Sequence, residues 1–183
     1  MPWKYLSSES GPDLKIFKVR FDELINPRNQ AVARVTVLES KDSVNVIALT
    51  PDQEVIAIRQ FRFGIGAMTI ELPGGLAEPG EEPMQAAMRE LREETGYTGS
   101  KWHSLGHIQS NPVYMNSRMH HFLLEDARLT HHPELDAEED IEVLTLSQSE
   151  LIRLVEEGEI QHPHVISALA RILPLWKNGY AER

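Results

Sequence analysis

Three glutamates, Glu90, Glu93 and Glu94, recur at i, i+3 and i+4 in a segment with helical periodicity. With Met84 at 0° and about 100° per residue, Met84, Ala87, Met88 and Leu91 gather within roughly 50° of one direction, the face expected to be buried. The glutamates fill an arc of about 100° centred roughly 120° away, and no Lys or Arg shares it. Like charges at these spacings repel by a few tenths of a kcal/mol per pair, about what one favourable surface pair returns. A hard divalent cation, Mg²⁺ or Mn²⁺, removes the repulsion because carboxylate oxygens are its preferred ligands. Arg89, one turn before Glu93, is placed to hold one of the carboxylates. A solvated acidic face in a Glu-rich chain is the other reading that the helix alone leaves open. Gly74, Gly75 and Gly80 precede the helix and let the chain turn tightly enough to bring backbone carbonyls near an ion. Pro83 suits the first helical turn, and Gly96 suits a left-handed C-cap.

The chain around this cluster has 183 residues, 18 Lys and Arg against 28 Asp and Glu, and a net charge of -10. A basic groove that releases counterions from a phosphate backbone is not expected on such a surface, so nucleic acid is excluded as the first-choice partner. The absence of cysteine removes disulfides, cysteine-ligated zinc and thiol catalysis together, leaving oxygen and nitrogen groups to do the chemistry. A 41% hydrophobic and 25% charged composition is that of an ordinary globular chain, read as one domain over 1–183. No apolar run resembles a signal peptide or a membrane span, so a soluble, cytoplasmic protein is expected.

Elements must position the glutamates. Short segments rich in Val, Ile and Phe at 14–21, 31–38, 44–49, 54–61, 68–72 and 120–124 read as strands between turn-formers. Helical patterns cover 83–95, 149–157 and 165–173, the second opening on a capping box with Ser147 as N-cap and Glu150 at N3. The stretch 125–140 is acidic, without periodicity, and reads as a loop. Strands, one helix, more strands and then helices predict a mixed α/β sandwich. Of the histidines, adjacent His120 and His121 point to opposite faces of a strand, one packed and one exposed, and cannot easily share an ion. The pairs at 131–132 and at 162 and 164 read as loop residues.

The order Gly75, Glu81, Arg89-Glu90-Leu91, Glu93-Glu94, Gly96-Tyr97 resembles the Nudix box, G-x5-E-x7-R-E-U-x-E-E-x-G-U, over 23 of the 183 residues, with Tyr97 as the last bulky position. The resemblance implies a Nudix-like α/β/α sandwich with a mixed sheet and an N-terminal β arm over 1–40. It implies Glu90, Glu93 and Glu94 as ligands of Mg²⁺ (Mn²⁺ as substitute), the Gly74 carbonyl as a further ligand, and Gly75, Glu81, Arg89 and Gly96 as supports of the loop and helix. Upstream, Arg59-Gln60-Phe61-Arg62 and Glu71-Leu72-Pro73-Gly74-Gly75 resemble the ADP-ribose and nucleotide-sugar pyrophosphatase branch, in which a strand arginine before the box contacts the diphosphate. That role falls to Arg62, with Arg59 beside it. Downstream, Pro112 fits the same branch, while Tyr114 also fits dinucleoside polyphosphate hydrolases; Arg118 adds a further positive charge for the substrate.

The segment Glu138-Glu139-Asp140-Ile141-Glu142 resembles the loop that carries the general base in this branch, which implies Glu139, or Glu138 one residue away in register. Together these implications describe hydrolysis of a nucleoside diphosphate sugar, ADP-ribose or an NDP-hexose, to a nucleoside monophosphate and a sugar phosphate. The alternatives are a dinucleoside polyphosphate hydrolase and a non-catalytic module that binds nucleotide sugars. The arm implies a homodimer.

Overall fold

The computed structural model describes residues 2–177 and the side chains of the last helix as far as Ile172. It divides into two compact units, one built from the chain up to Asp42 with Gln109–Arg118, the other from Ser43–Ile108 and the chain from Met119 onward.

The first unit is a three-stranded antiparallel sheet of β1 (Lys4–Asp13), β2 (Lys18–Ile25) and β3 (Val32–Glu39), in that order. The sequence pattern predicts two strands here; β1, KYLSSESGPD, is missed because it is polar and exposed almost throughout, with no apolar alternation to mark it. The expected first strand also starts too early. Residues 14–17 instead form a tight turn in which Leu14 N–H donates to the Phe17 carbonyl and Lys15 takes φ 69°. Asp22, fully buried, accepts from Arg20 Nε at 2.9 Å, which ties the sheet internally.

The second unit carries a six-stranded mixed sheet ordered β11 (Ile141–Leu146), β5 (Val55–Arg62), β4 (Ser43–Leu49), β9 (Arg118–Glu125), β8 (Lys101–Gln109), with β6 (Ala67–Glu71) also paired to β5. β4 and β9 run parallel. Side chains of β4 alternate between two cores: Val44, Val46 and Ala48 pack with Ala86, Ala87 and Leu91 of α1 (Pro83–Thr95). Ile47 and Leu49 pack with Leu151 and Leu154 of α2 (Gln148–Glu156) and with Ala168, Leu169 and Ile172 of α3 (Pro163–Lys177). Covering both faces explains why this strand reads as a near-continuous apolar run, broken only by the buried Asn45. The result is the α/β/α sandwich with a mixed sheet that the sequence implied.

The 125–140 stretch is not wholly a loop, since β10 (Arg128–Leu129) pairs with β7 (Tyr97–Thr98) just after α1. Two residues are too few to leave a periodic signal. Among the described residues no helix is long and apolar enough to cross a membrane.

Candidate active site

The site begins where β6 ends. β4 leaves β5 after two paired residues, and the segment after β6 takes the vacated edge: Val46 N–H donates to the Pro73 carbonyl and Val44 N–H to the Gly75 carbonyl, both at 2.9 Å. This close approach excludes any side chain at Gly74, whose φ is 154° and where a Cβ would lie 2.1 Å from the Val44 carbonyl oxygen. At Gly75 a Cβ would lie 2.6 Å from the Glu90 carboxyl carbon, so the bare glycine is what admits that carboxylate.

α1 delivers the acidic groups. Pro83 occupies its first turn, and Gly96 at φ 76° closes it by donating its N–H to the Arg92 carbonyl at 2.8 Å. The buried face differs from the expected one: Met88 is 41% exposed, whereas Ala86 and Glu94 are buried. The helix is rotated toward the glycine turn, and Glu94 Oε2 accepts the Gly74 N–H at 2.7 Å.

Arg89 is the hub. Its Nε and Nη2 donate to the two oxygens of Glu81 at 3.0 Å, Nη2 also to the Leu76 carbonyl, and Nη1 to Glu90 and Glu93 at 2.9 and 3.2 Å. The guanidinium thereby pins the loop of residues 76–81 to the helix, and it holds Glu81 below the usual carboxylate range. Glu93 also accepts from Arg92 at 3.0 Å, so two guanidinium groups hold it and one holds Glu90, while Glu94 turns to the Gly74 N–H.

Burial, reinforced by Glu90 and Glu139, pushes the Glu94 carboxyl well above its ordinary range. Burial also raises Glu90, with Arg89 opposing and Glu93 and Glu139 adding to the rise. Glu139 stands in a turn in which its carboxylate accepts the Asp136 N–H at 2.9 Å and its own N–H donates to the Asp136 carbonyl at 3.0 Å. Among the described residues, no three acidic or imidazole groups meet at metal-binding spacing, and Glu93 is engaged by Arg89 and Arg92. Even so, two carboxylates held in unfavourable proximity with Glu139 in electrostatic reach, and a bare glycine against one of them, are a donor set suited to a hard divalent cation.

Beside the glycine turn lies a cleft of about 670 Å³, bordered by the β5–β6 hairpin and by the residues leading into α3. Its polar end is organised on Glu71, which is 3% exposed. Arg62 grips this carboxylate with Nε and Nη2, both at 2.7 Å, and Thr69 Oγ1 donates to it at 2.6 Å. Burial alone would raise Glu71, but Arg62 and Thr69 outweigh it and keep the carboxyl ionised below its usual range. Arg62 also lies within electrostatic reach of Glu94 and Glu139.

The NUDIX domain family matches residues 39–169. The chain belongs to the Nudix family. It is 32% identical over 147 residues to the ADP-ribose pyrophosphatase of Bacillus subtilis (strain 168), covering 80% of this chain and 79% of that relative. It is 30% identical over 169 residues to the ADP-ribose pyrophosphatase of Mycobacterium tuberculosis, covering 91% and 81% respectively. A crystal structure of an ADP compounds hydrolase shares the fold with a TM-score of 0.84 over 98% of this chain and 97% of that one, at 22% identity. The relatives put the chain in the ADP-ribose pyrophosphatase branch of the Nudix hydrolases.

Against that Nudix frame the sequence expectations divide. Arg59 and Arg62 are three residues apart on one strand, so they face opposite sides of the sheet. Arg59 does not line the cleft; it forms an exposed cross-strand ion pair with Glu142, its register partner on β11. Glu138 and Glu139 are both exposed, and of the two it is Glu139 whose charge reaches Glu90, Glu94 and Arg62. Tyr114 and Arg118 fold with the first unit, where the Tyr114 carbonyl accepts from Leu38 N–H at 2.7 Å and the Arg118 N–H donates to Asp42 at 2.8 Å.

His121 is fully buried and His120 only half-buried, the former bonded through Nδ1 to Asn45 Oδ1 at 2.7 Å and through Nε2 to Ser167 Oγ at 3.1 Å. Two cleft residues carried no role in the sequence reading: Glu71, whose acidic type at the buried end of an apolar strand was the available signal, and His162. The latter is not a plain loop residue, because it lines the cleft and its carbonyl accepts from Val165 and Ile166 at the start of α3.

Proposed function

We propose that the protein hydrolyses the diphosphate bond of a nucleoside diphosphate sugar, ADP-ribose or an NDP-hexose, to a nucleoside monophosphate and a sugar phosphate. The observation that carries this reading is the meeting of unlike charge at one place: Glu90, Glu94 and Glu139 stand within electrostatic reach of one another, with Arg62 beside them at the cleft. On a chain of net charge -10, such a site is where a polyanion can be received.

Glu90, Glu93 and Glu94, with the Gly74 carbonyl, would hold Mg²⁺ or Mn²⁺, which when bound offsets charge on the diphosphate and acidifies a water. The chain's own groups do the remainder. Arg62 spends Nε and Nη2 on Glu71, and the rigid guanidinium so fixed presents Nη1 to a phosphate oxygen. Glu139 takes the proton of the water that attacks phosphorus, the bond from that phosphorus to the bridging oxygen breaks, and the second phosphate leaves on its sugar or nucleoside. Arg89 keeps the carboxylates in position without touching substrate.

A homodimer belongs to the same proposal. The first unit leaves Tyr5, Leu6 and Val32 exposed on its three-stranded sheet, with Trp3 exposed just before it and Ile16 exposed in the turn between β1 and β2, apolar side chains that an interface would cover.

Chromatographic product analysis with Mg²⁺ over ADP-ribose, ADP-glucose, GDP-mannose, UDP-glucose and diadenosine polyphosphates tests the reaction. A nucleoside monophosphate with an equal amount of sugar phosphate is the expected result. Release of inorganic phosphate, or preferential cleavage of the dinucleotides, would overturn it.

A further inference from the structure

Glu71 is a charge the fold buries beside a site that must receive anions. Such a carboxylate is costly to desolvate and repels a phosphate, so its presence calls for a task. Its bonds show what it holds. In the β5–β6 register Gln60 faces Thr69 and Ile58 faces Glu71, so Arg62 shares a face with Glu71 but stands four residues further along the hairpin, about 13 Å at 3.3 Å per residue. The arginine side chain reaches back along the hairpin and meets the carboxylate with Nε and Nη2, both at 2.7 Å, a two-point grip that fixes the plane of the guanidinium as well as its place. Thr69 Oγ1 braces the same carboxylate at 2.6 Å, whereas His162 Nε2, at 3.7 Å, is too far to hydrogen-bond. Burial keeps the His162 ring below its ordinary pKa, against the pull of Glu71, so the ring is neutral at pH 7 and Arg62 is the cation that balances Glu71. The Arg62 side chain is 42% exposed, so its bonds to Glu71 hold it where packing does not. The same guanidinium has two other carboxylates within electrostatic reach, Glu94 and Glu139. Glu94 is buried and docks on the Gly74 N–H at 2.7 Å, and Gly74 follows Glu71 by three residues, at most about 11 Å of chain.

We propose that Glu71 is a positioning residue that keeps Arg62 at the cleft and off Glu94 and Glu139, so that the acidic site stays open to a divalent cation. The inference rests on the diphosphatase reading for the role of that cation. A guanidinium and a divalent cation are rivals for the same carboxylate oxygens. An arginine released beside Glu94 closes the site with an internal ion pair, and it withdraws from the phosphate that Nη1 is placed to meet. Glu71 wins the arginine because it offers both oxygens in the geometry of the fork, from a carboxylate that folding has already desolvated and Thr69 has already oriented. Glu94 has Oε2 engaged by Gly74 and offers a poorer match. The buried charge is thereby explained by what it prevents.

The test is a double-mutant cycle read by calorimetric titration of the metal-free, full-length protein with Mg²⁺, without substrate. Glu71→Gln keeps the shape and removes the charge; Arg62→Met removes the rival cation. Glu71→Gln should weaken Mg²⁺ binding at least about fivefold, and the same substitution added to Arg62→Met should change it by less than about twofold, because no arginine is left to swing. Equal weakening in both backgrounds, or none in either, would overturn the inference. Melting curves establish which variants fold. Should Glu71→Gln not fold, Arg62→Met alone still decides: Mg²⁺ affinity within about threefold of wild type upholds the inference, since Arg62 is then no rival while Glu71 holds it, and affinity tenfold tighter or more overturns it. If wild type binds neither Mg²⁺ nor Mn²⁺, the metal-dependent diphosphatase reading fails, and a crystal structure of metal-free Glu71→Gln decides the inference separately. A guanidinium of Arg62 bonded to Glu94 or Glu139 upholds it; one still on residue 71, or turned to solvent, overturns it.

Discussion

Glu94 is a carboxylate in a place that penalises its charge. Burial and the neighbouring Glu90 and Glu139 raise its pKa, with the Gly74 N–H and Arg62 in opposition. For an acid whose folded pKa lies above its unfolded value, the folded state holds the proton longer, so stability falls as pH rises from the unfolded value near 4.5 through the folded one. Glu94→Gln keeps an acceptor for Gly74 and removes the charge. The metal-free variant should therefore melt higher than wild type at pH 7, show no stabilisation by Mg²⁺, and lose about 10²-fold or more in kcat. Differential scanning calorimetry with and without Mg²⁺, alongside turnover, checks all three. At the loop, Glu139→Gln should lower kcat with little change in KM, whereas Glu138→Gln should leave both near wild type. A larger loss in Glu138→Gln would move the base by one residue.

At the scale of elements, His121 joins three of them. It sits on β9, accepts or donates through its two nitrogens to Asn45 on β4 and Ser167 on α3, and Asn45 Nδ2 in turn donates to the His164 carbonyl at 3.0 Å. Burial, with Arg171 and two neighbouring histidines adding to it, pushes the ring down to about 4 from an ordinary 6.5. Here the unfolded chain takes up the proton first, so the contribution to stability is whole above pH 6.5 and is lost as pH falls from there toward 4. The loss amounts to about 3 kcal/mol by the lower end of that window. Urea melts of wild type at pH 7 and pH 5 should differ more than those of His121→Gln, which lacks the titrating ring; parallel pH dependence in the two proteins would show that His121 does not couple these elements.

At the scale of the molecule, the exposed apolar sheet of the first unit predicts a dimer of about 42 kDa by light scattering coupled to size exclusion. Removing residues 1–40 should give a monomer with a raised KM, while a truncated protein that stays dimeric with unchanged KM would show that the arm has neither role. The Nudix box was legible in the sequence because metal chemistry and a helix period both act over a few residues. Fixed glutamate spacing, Pro83 at the start and Gly96 at the end of α1 are local requirements, and each is written in the chain where it acts. The apolar character of 44–49 likewise announced the strand β4, though not that both its faces are covered. What the sequence could not determine depends on groups far apart in it. The rotation that buries Glu94 and exposes Met88 is decided by where the Gly74 turn meets α1, and the opposite fates of Arg59 and Arg62 by what lies on each side of β5. His162 gained its place from Glu71, ninety-one positions away, because a pairwise contact across a fold leaves no periodicity, only a residue type, in the sequence.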